Sequence, residues 1–244
     1  MGSLDSATSL SVPSKIANQD NLDPLIIKVF GKTPKEKSCL SLKKKAKPTT
    51  SKEKNQKNVK SSFDYIDPAL TQLFNRLSTA IQNEDQYEAR KLFHPSLAVS
   101  SVAMKSVMMK IRANLGKKPD ISVASLWGLY TKDGSADFIP CKEDAMSISP
   151  QYGYDLQFGV WLSLLGNNEL GKVFLTIVPS NQNFYIGAFH FQSWTHKGKD
   201  YLEWIKEADE EFKKKNFISA HIKYDLAKKL IFGKSFYKLD DEER

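Results

Sequence analysis

Apolar and polar positions alternate most regularly between Asp155 and Trp194, in runs covering Tyr154–Leu165, Gly171–Pro179 and Asn183–Trp194. Two polar turns, Gly166-Asn167-Asn168-Glu169 and Ser180-Asn181-Gln182, separate them. Alternation with period two and short turn-forming breaks predicts an antiparallel meander. In the last run Phe184, Ile186, Ala188, His190, Gln192 and Trp194 share one parity, and Tyr185, Gly187, Phe189 and Phe191 share the other. Both parities are largely apolar, which predicts a sheet covered on both faces.

Helical spacing precedes this meander. Asp67 reads as an N-cap with Pro68 at the first helical position, and Leu70, Leu73, Phe74, Leu77 and Ile81 fall on one face. A short helix over Asp85–Phe93 stops at His94-Pro95, and a third covers Val102–Leu115 before Gly116. Ile121–Thr131 then alternates, with Ile121, Val123, Trp127 and Leu129 on one parity. Lys132-Asp133-Gly134 is a hairpin signal, and Ala136–Cys141 is the returning strand. Beyond the meander, Asp200–Lys215 and Phe217–Phe232 predict a helical pair broken at Asn216 and ended by Gly233.

Charge changes this picture by its placement. The 244-residue chain carries a formal +8, yet residues 1–62 alone hold thirteen Lys against Asp5, Asp20, Asp23, Glu36 and Glu53. The remainder, with 23 basic and 23 acidic residues, is neutral. A nucleic-acid-binding fold carries its basic face on the fold itself, so nucleic acid is disfavoured as a partner. Peripheral attachment to anionic lipid through the arm stays open. Residues 1–62 form a low-complexity arm that cannot bury enough surface to order itself. Its one apolar island, Leu25–Phe30, is expected to pack on the body, the alternative being a short partner-binding motif. The division expected is an arm at 1–62, an α+β domain at 63–198, a helical hairpin at 199–234 and a charged tail at 235–244.

Two cysteines, Cys39 and Cys141, do not make a disulfide framework, and the redox compartment stays open. Met1-Gly2-Ser3-Leu4-Asp5-Ser6 fits an N-myristoylation spacing, but reads more simply as a native start or one replacing a removed leader. A replaced leader before a Ser/Thr- and Lys-rich spacer would suit a tether at a bacterial cell envelope; a cytoplasmic location is the alternative.

The order of elements, three helices followed by a hairpin and three long antiparallel strands, resembles the NTF2-like α+β cone over about Phe63–Trp194. Leu92-Phe93-His94-Pro95-Ser96-Leu97 is similar to the way many such domains leave their helical lid. The resemblance implies a curved antiparallel sheet wrapped by N-terminal helices, with polar groups projecting into a cone. His190 as proton shuttle, with Asp155 and Gln192, would then be the candidate catalytic set. The C-terminal pair resembles a single tetratricopeptide-type hairpin, with Ala208, Asn216, Ala220, Tyr224 and Ala227 at that repeat's small and aromatic positions. One such hairpin has to pack on the body or on a partner.

The remaining motifs argue mainly by failing. Gly166–Lys172 matches the first seven positions of a phosphate-binding loop, but Val173 stands where the magnesium-binding hydroxyl belongs, and the segment joins two strands. Four scattered His and two Cys make no metal-ligand spacing, so no metal or cofactor is expected. Trp194, His196, Lys197 and Lys199, with Tyr154, are the candidate binding residues for an anion or peptide. The simpler reading of Trp194–Asp200 is a junction in which Thr195 or Asp200 caps the next helix, and that of His190 and Gln192 is a hydrogen-bonded structural pair. The sequence thus favours a non-enzymatic binding protein with a protein partner or a second copy of itself. A small-molecule carrier or isomerase- or dehydratase-type enzyme using the cone around His190 is one alternative, and nucleic-acid or anionic-membrane attachment through the basic arm is another.

Overall fold

The computed structural model describes residues 23–30, 32, 34, 35, 37–42, 67–131, 138–141, 146–151, 153–180, 183–231 and 237–239. The expected turn at 132–134, the cap at Gly233, the start near Phe63 and most of the basic arm lie outside them. The chain is α+β: a curved antiparallel sheet wrapped by N-terminal helices, with a C-terminal helical pair.

The helical layer follows from its caps and apolar stripes. In α2 (Pro68–Gln82) the Asp67 carboxylate accepts the Ala69 N–H at 2.9 Å, and Leu70, Leu73, Phe74, Leu77, Ala80 and Ile81 are buried. The short α3 (Gln86–Arg90) is capped by Asp85. In α4 (Ser101–Leu115) Ser100 caps the start and Gly116, at φ +78°, ends it. Met104, Val107, Met108, Ile111 and Leu115 turn inward.

The main sheet has the order β1 (Ser38–Ser41), β2 (Asp120–Tyr130), β5 (Leu156–Gly166), β6 (Glu169–Ser180), β7 (Asn183–Ser193). Its front face presents Leu156, Phe158, Val160, Leu162, Leu164, Val173, Leu175 and Ile177 to the helices in one continuous apolar core. Gly166 lets β5 close on α4, since a Cβ there would lie 2.1 Å from the Leu115 carbonyl oxygen.

Two bulges redirect the outer strands. On β2 the register slips between Val123 and Ser125, and on β7 Gly187 is extra between Ile186 and Ala188. An inserted residue moves every later side chain to the other face. Ile121 and Val123 therefore share the front with Leu126 and Tyr130, while Trp127 and Leu129 face back. On β7, Ile186 faces front with Phe189, and Ala188 faces back. The single parities expected for Ile121–Leu129 and Phe184–Trp194 are corrected accordingly.

The back face has a cover of its own. A small sheet of β3 (Ile139–Cys141), β4 (Met146–Ile148) and β8 (Tyr237–Leu239) takes up part of it. Ile139, Cys141 and Ile148 join Trp127, Leu129, Phe174 and Ala188 in a second core. The expected tail at 235–244 thus contributes a strand. The expected arm also contributes: α1 (Asp23–Phe30) buries Ile26 in the front core and rests Val29 and Phe30 on Gly128. β1 pairs with β2, and Cys39 is disulfide-bonded to Cys141. The apolar island Leu25–Phe30 thus packs on the body as expected, its burial repaying the cost of ordering it.

α5 (Tyr201–Lys213) and α6 (Phe217–Ile231) form the C-terminal pair. Asp200 caps α5 in a full capping box with Glu203. Trp204, Ala227 and Leu230 make the pair's own small core.

Candidate functional site

The polar side chains of the sheet gather on its back face. Register sets Trp161, Phe174 and His190 level on β5, β6 and β7, and Ser163, Lys172 and Gln192 level one step on. His190 faces back, beside Ala188 and Phe174, and is 2% exposed. It turns away from the helix-covered side where a cone would open, for the Gly187 bulge has moved it there. Asp155 stands six residues back along β5 from that level, about 20 Å of extended chain. The expected His190–Asp155 pairing does not assemble. Gln192 instead ties sheet to hairpin, its amide donating to the Leu230 carbonyl at 2.7 Å.

Beside Gln192 is a group that sequence reasoning placed only in a turn motif. Lys172 Nζ lies 3.3 Å from the Trp194 ring centroid and 4.5 Å from that of Trp161. The two indoles are 6.1 Å apart, and Trp161 meets Trp127 edge-on at 5.7 Å. Burial pushes the Lys172 ammonium down to about 8. The rings stabilise the cation through their negative faces, an effect worth about 0.5–2 kcal/mol. Trp161 was legible by its parity, opposite to that of Leu156, Phe158 and Val160.

The Trp194–Asp200 segment is an anchor. Thr195 Oγ1 donates to Glu169 and accepts the Leu170 N–H, each at 2.7 Å. Gly198 N–H donates to the other Glu169 oxygen at 3.2 Å. His196 and Lys199 close a tight turn through their backbones, with Lys197 at φ +53° and Gly198 at φ +71°. The indole N–H of Trp204 donates to the His196 carbonyl at 3.2 Å, and the His196 and Trp204 rings lie 6.1 Å apart. Lys199 lies over the Trp204 ring and pairs with Glu207. Glu207 also takes Lys223 of α6 at 3.1 Å. Hydrogen bonds from Lys199, then Lys223, hold the Glu207 carboxyl below its usual range. Of the expected binding residues here, Trp194, His196 and Lys199 are engaged within the chain, and the exposed Lys197 sits at the turn's tip.

Tyr154 belongs to the other end of the sheet, roughly 35 Å along β5 from Trp194. Its ring meets that of His94 edge-on at 6.1 Å, and Tyr185 meets His94 at 5.5 Å. Ser96 N–H donates to His94 Nδ1 at 3.2 Å. Burial lowers the His94 pKa and raises that of Tyr154 to about 12. A neutral imidazole and a phenol this hard to ionise form a structural corner. The buried Gln157 amide completes it, donating at 2.7 Å to the Gln151 carbonyl and at 3.2 Å to that of Tyr154.

Among the described residues, no group of three His, Cys, Asp or Glu side chains is arranged to hold a metal, and no helix is long and apolar enough to cross a membrane. A shallow groove of about 250 Å³ lies on the helical side, lined by Asn75, Arg76, Thr79, Asn83, Asp85 and Glu88.

No protein-family model matches the chain, and no curated protein matches it. Among solved structures it is similar to a protein of unknown function with a cystatin-like fold from Nostoc punctiforme. The two share 10% identity at a TM-score of 0.32, over 51% of this chain and 88% of that one.

Proposed function

We propose that this protein is a non-enzymatic binding module, a cone-type α+β domain of the NTF2-like kind that presents a tetratricopeptide-like helical pair to a protein partner. The observation that carries the reading is the pair's outer surface: Phe212, Phe217, Ile218 and Ile222 are all more than half exposed. Large apolar side chains clustered on a short helical hairpin mark an interaction surface. The front of the sheet supports the same reading, since apolar side chains fill the space in which a cone would hold a small molecule. The distance between His190 and Asp155 weighs against isomerase-type chemistry, which needs a base and a donor converging on one substrate.

The Cys39–Cys141 disulfide supports a location outside the reducing cytosol. With the Lys-rich spacer, it favours a module tethered at a bacterial envelope.

Site-directed photocrosslinking in cells tests the reading. A photoreactive residue at Ile218 is expected to give a discrete protein adduct, while one at the exposed Tyr87 on the helical side gives none. Equal labelling from both positions, or none from Ile218, would refute it.

A further inference from the structure

We infer that the Lys172 amine, held between the indoles of Trp161 and Trp194, is a covalent binding site for an aldehyde, taken up reversibly as an imine. This goes beyond the binding-module reading and does not rest on the partner of the helical pair. Two lysines of the chain sit on indole rings, and they differ in one respect. Lys199 lies 5.0 Å from the Trp204 centroid and is paired with Glu207. Lys172 lies 3.3 Å and 4.5 Å from two centroids, and among the described residues no carboxylate pairs with it. Glu169, three residues back on β6, is bound instead to Thr195 and Gly198. A lysine set in apolar surroundings without an anion gives up its proton readily, and the free amine is a nucleophile toward carbonyl carbon. Lys172 and Trp194 are both half-buried, so the amine is shielded from water but reachable.

Burial sets the Lys172 pKa at about 8 rather than 10.5. At pH 7.5 roughly a quarter of it is then free amine, against about one part in a thousand for an ordinary lysine. Intrinsic nucleophilicity falls with basicity, as it does for thiolates, and takes back about tenfold, which leaves a net gain of roughly twentyfold. In the step itself the ammonium first gives a proton to water. The Nζ lone pair bonds to the aldehyde carbon while the carbonyl π pair moves to oxygen, and a proton passes from nitrogen to that oxygen. A second proton, from water, makes the hydroxyl a leaving group. The nitrogen lone pair then closes the C=N bond as the C–O bond breaks and water departs. Ammonium and aldehyde become iminium and water, with no oxidant or reductant. The indoles hold the product as they hold the reactant, since both are cations between two ring faces. The compact ammonium is the more strongly hydrated of the two, so the apolar niche disfavours it more and tips the exchange toward the iminium.

Competitive labelling of the full oxidised chain tests this. The protein is treated at pH 7.5 with a limiting amount of propanal, the imine is trapped with cyanoborohydride, and the adduct at each lysine is measured by peptide mass spectrometry. Lys172 is expected to react about tenfold faster than Lys199, and than Lys197 at the exposed tip of its turn. That preference should fade as pH rises from 8 toward 10.5, because the other amines lose their protons only there. Lys172→Arg, which keeps the cation between the rings, should remove the fast phase and leave the slow labelling of the other lysines unchanged. Label spread evenly over the lysines, a Lys172 slower than Lys199, a preference that does not change with pH, or a fast phase that survives Lys172→Arg would each overturn the proposal. The rates compare sites within one wild-type molecule, so the test holds even if the variant fails to fold.

Discussion

The two faces of the same sheet are built on different principles. In front, three helices adjoining in sequence lay Leu, Ile, Val, Met and Phe side chains on β5 and β6 and close one apolar core. Behind, the cover is assembled from distant pieces: the small sheet, linked through Cys141 to the edge strand β1, and a helical pair joined to β7 by Gln192 and preceded by a junction that Thr195 and Gly198 fasten to Glu169 of β6. The front is held mainly by burial area, with the Leu92 and His94 backbone hydrogen bonds to Ile186 tying it to β7. The back depends on a disulfide, a lysine between indoles and a few directed hydrogen bonds. A face covered by local helices can be plain; one covered from afar uses specific links to hold its pieces in register.

The largest expected effect breaks the back. Replacing both Cys39 and Cys141 by Ser opens a link spanning 102 residues. Chain entropy alone then costs about 4–5 kcal/mol, read as a fall in the urea midpoint of the oxidised protein, and reduction of the wild type should match it. A loss under about 1 kcal/mol would mean that β1 and the small sheet hold without the link. Next comes the front. Leu77→Ala, at a position with no exposure, should cost about 2–5 kcal/mol by chemical denaturation. Ile222→Ala, on the outer face of α6, should stay within about 0.5 kcal/mol for the monomer. Similar losses at the two sites would erase the distinction between packed face and presented face. Asp200→Ala removes the capping box of α5 and should cost about 0.5–2 kcal/mol, detectable as faster amide exchange in α5 than in α2.

The last effect is the most specific to the back face. Lys172 has a folded pKa pushed down to about 8 from 10.5. The unfolded chain therefore holds more protons between those values, and stability rises as pH climbs from 8 to 10.5. Below pH 8 both states carry the charge, and the folded state bears its full desolvation cost. Lys172→Met should flatten this rise, measured as the difference in urea midpoint between pH 7.5 and 9.5. An unchanged rise would assign it to another group.

The helices α2 to α6 and the three long strands were legible because each announces itself locally, by a cap, a period or a turn, whereas the strand expected to return on β2 pairs with β4 in the small sheet instead. Asp67-Pro68, Ser100, Gly116 and Asp200 all stand within a residue or two of the ends they set. The side of the sheet on which a residue falls was less legible. Neither bulge, at Val123–Ser125 or at Gly187, has a strong local signal, and each reverses the parity of all that follows. His190 and Trp127 were therefore placed on the wrong face while their strands were placed correctly. Lys172 was visible only as part of a failed phosphate-loop match, since the indoles that surround it come from Trp161 and Trp194 on different strands.

What the sequence by itself determined is α2 to α6, β2 and the three long strands, with their order and the apolar stripes of those helices, because those depend on contacts within a few residues. Tertiary structure alone decided the pairing of Cys39 with Cys141, the seat of α1 on Gly128, the reversal of face on β2 and β7, and which side of α6 turns toward α5 and the sheet. Each of these joins residues far apart in the chain, and their energies exist only once the sheet has closed.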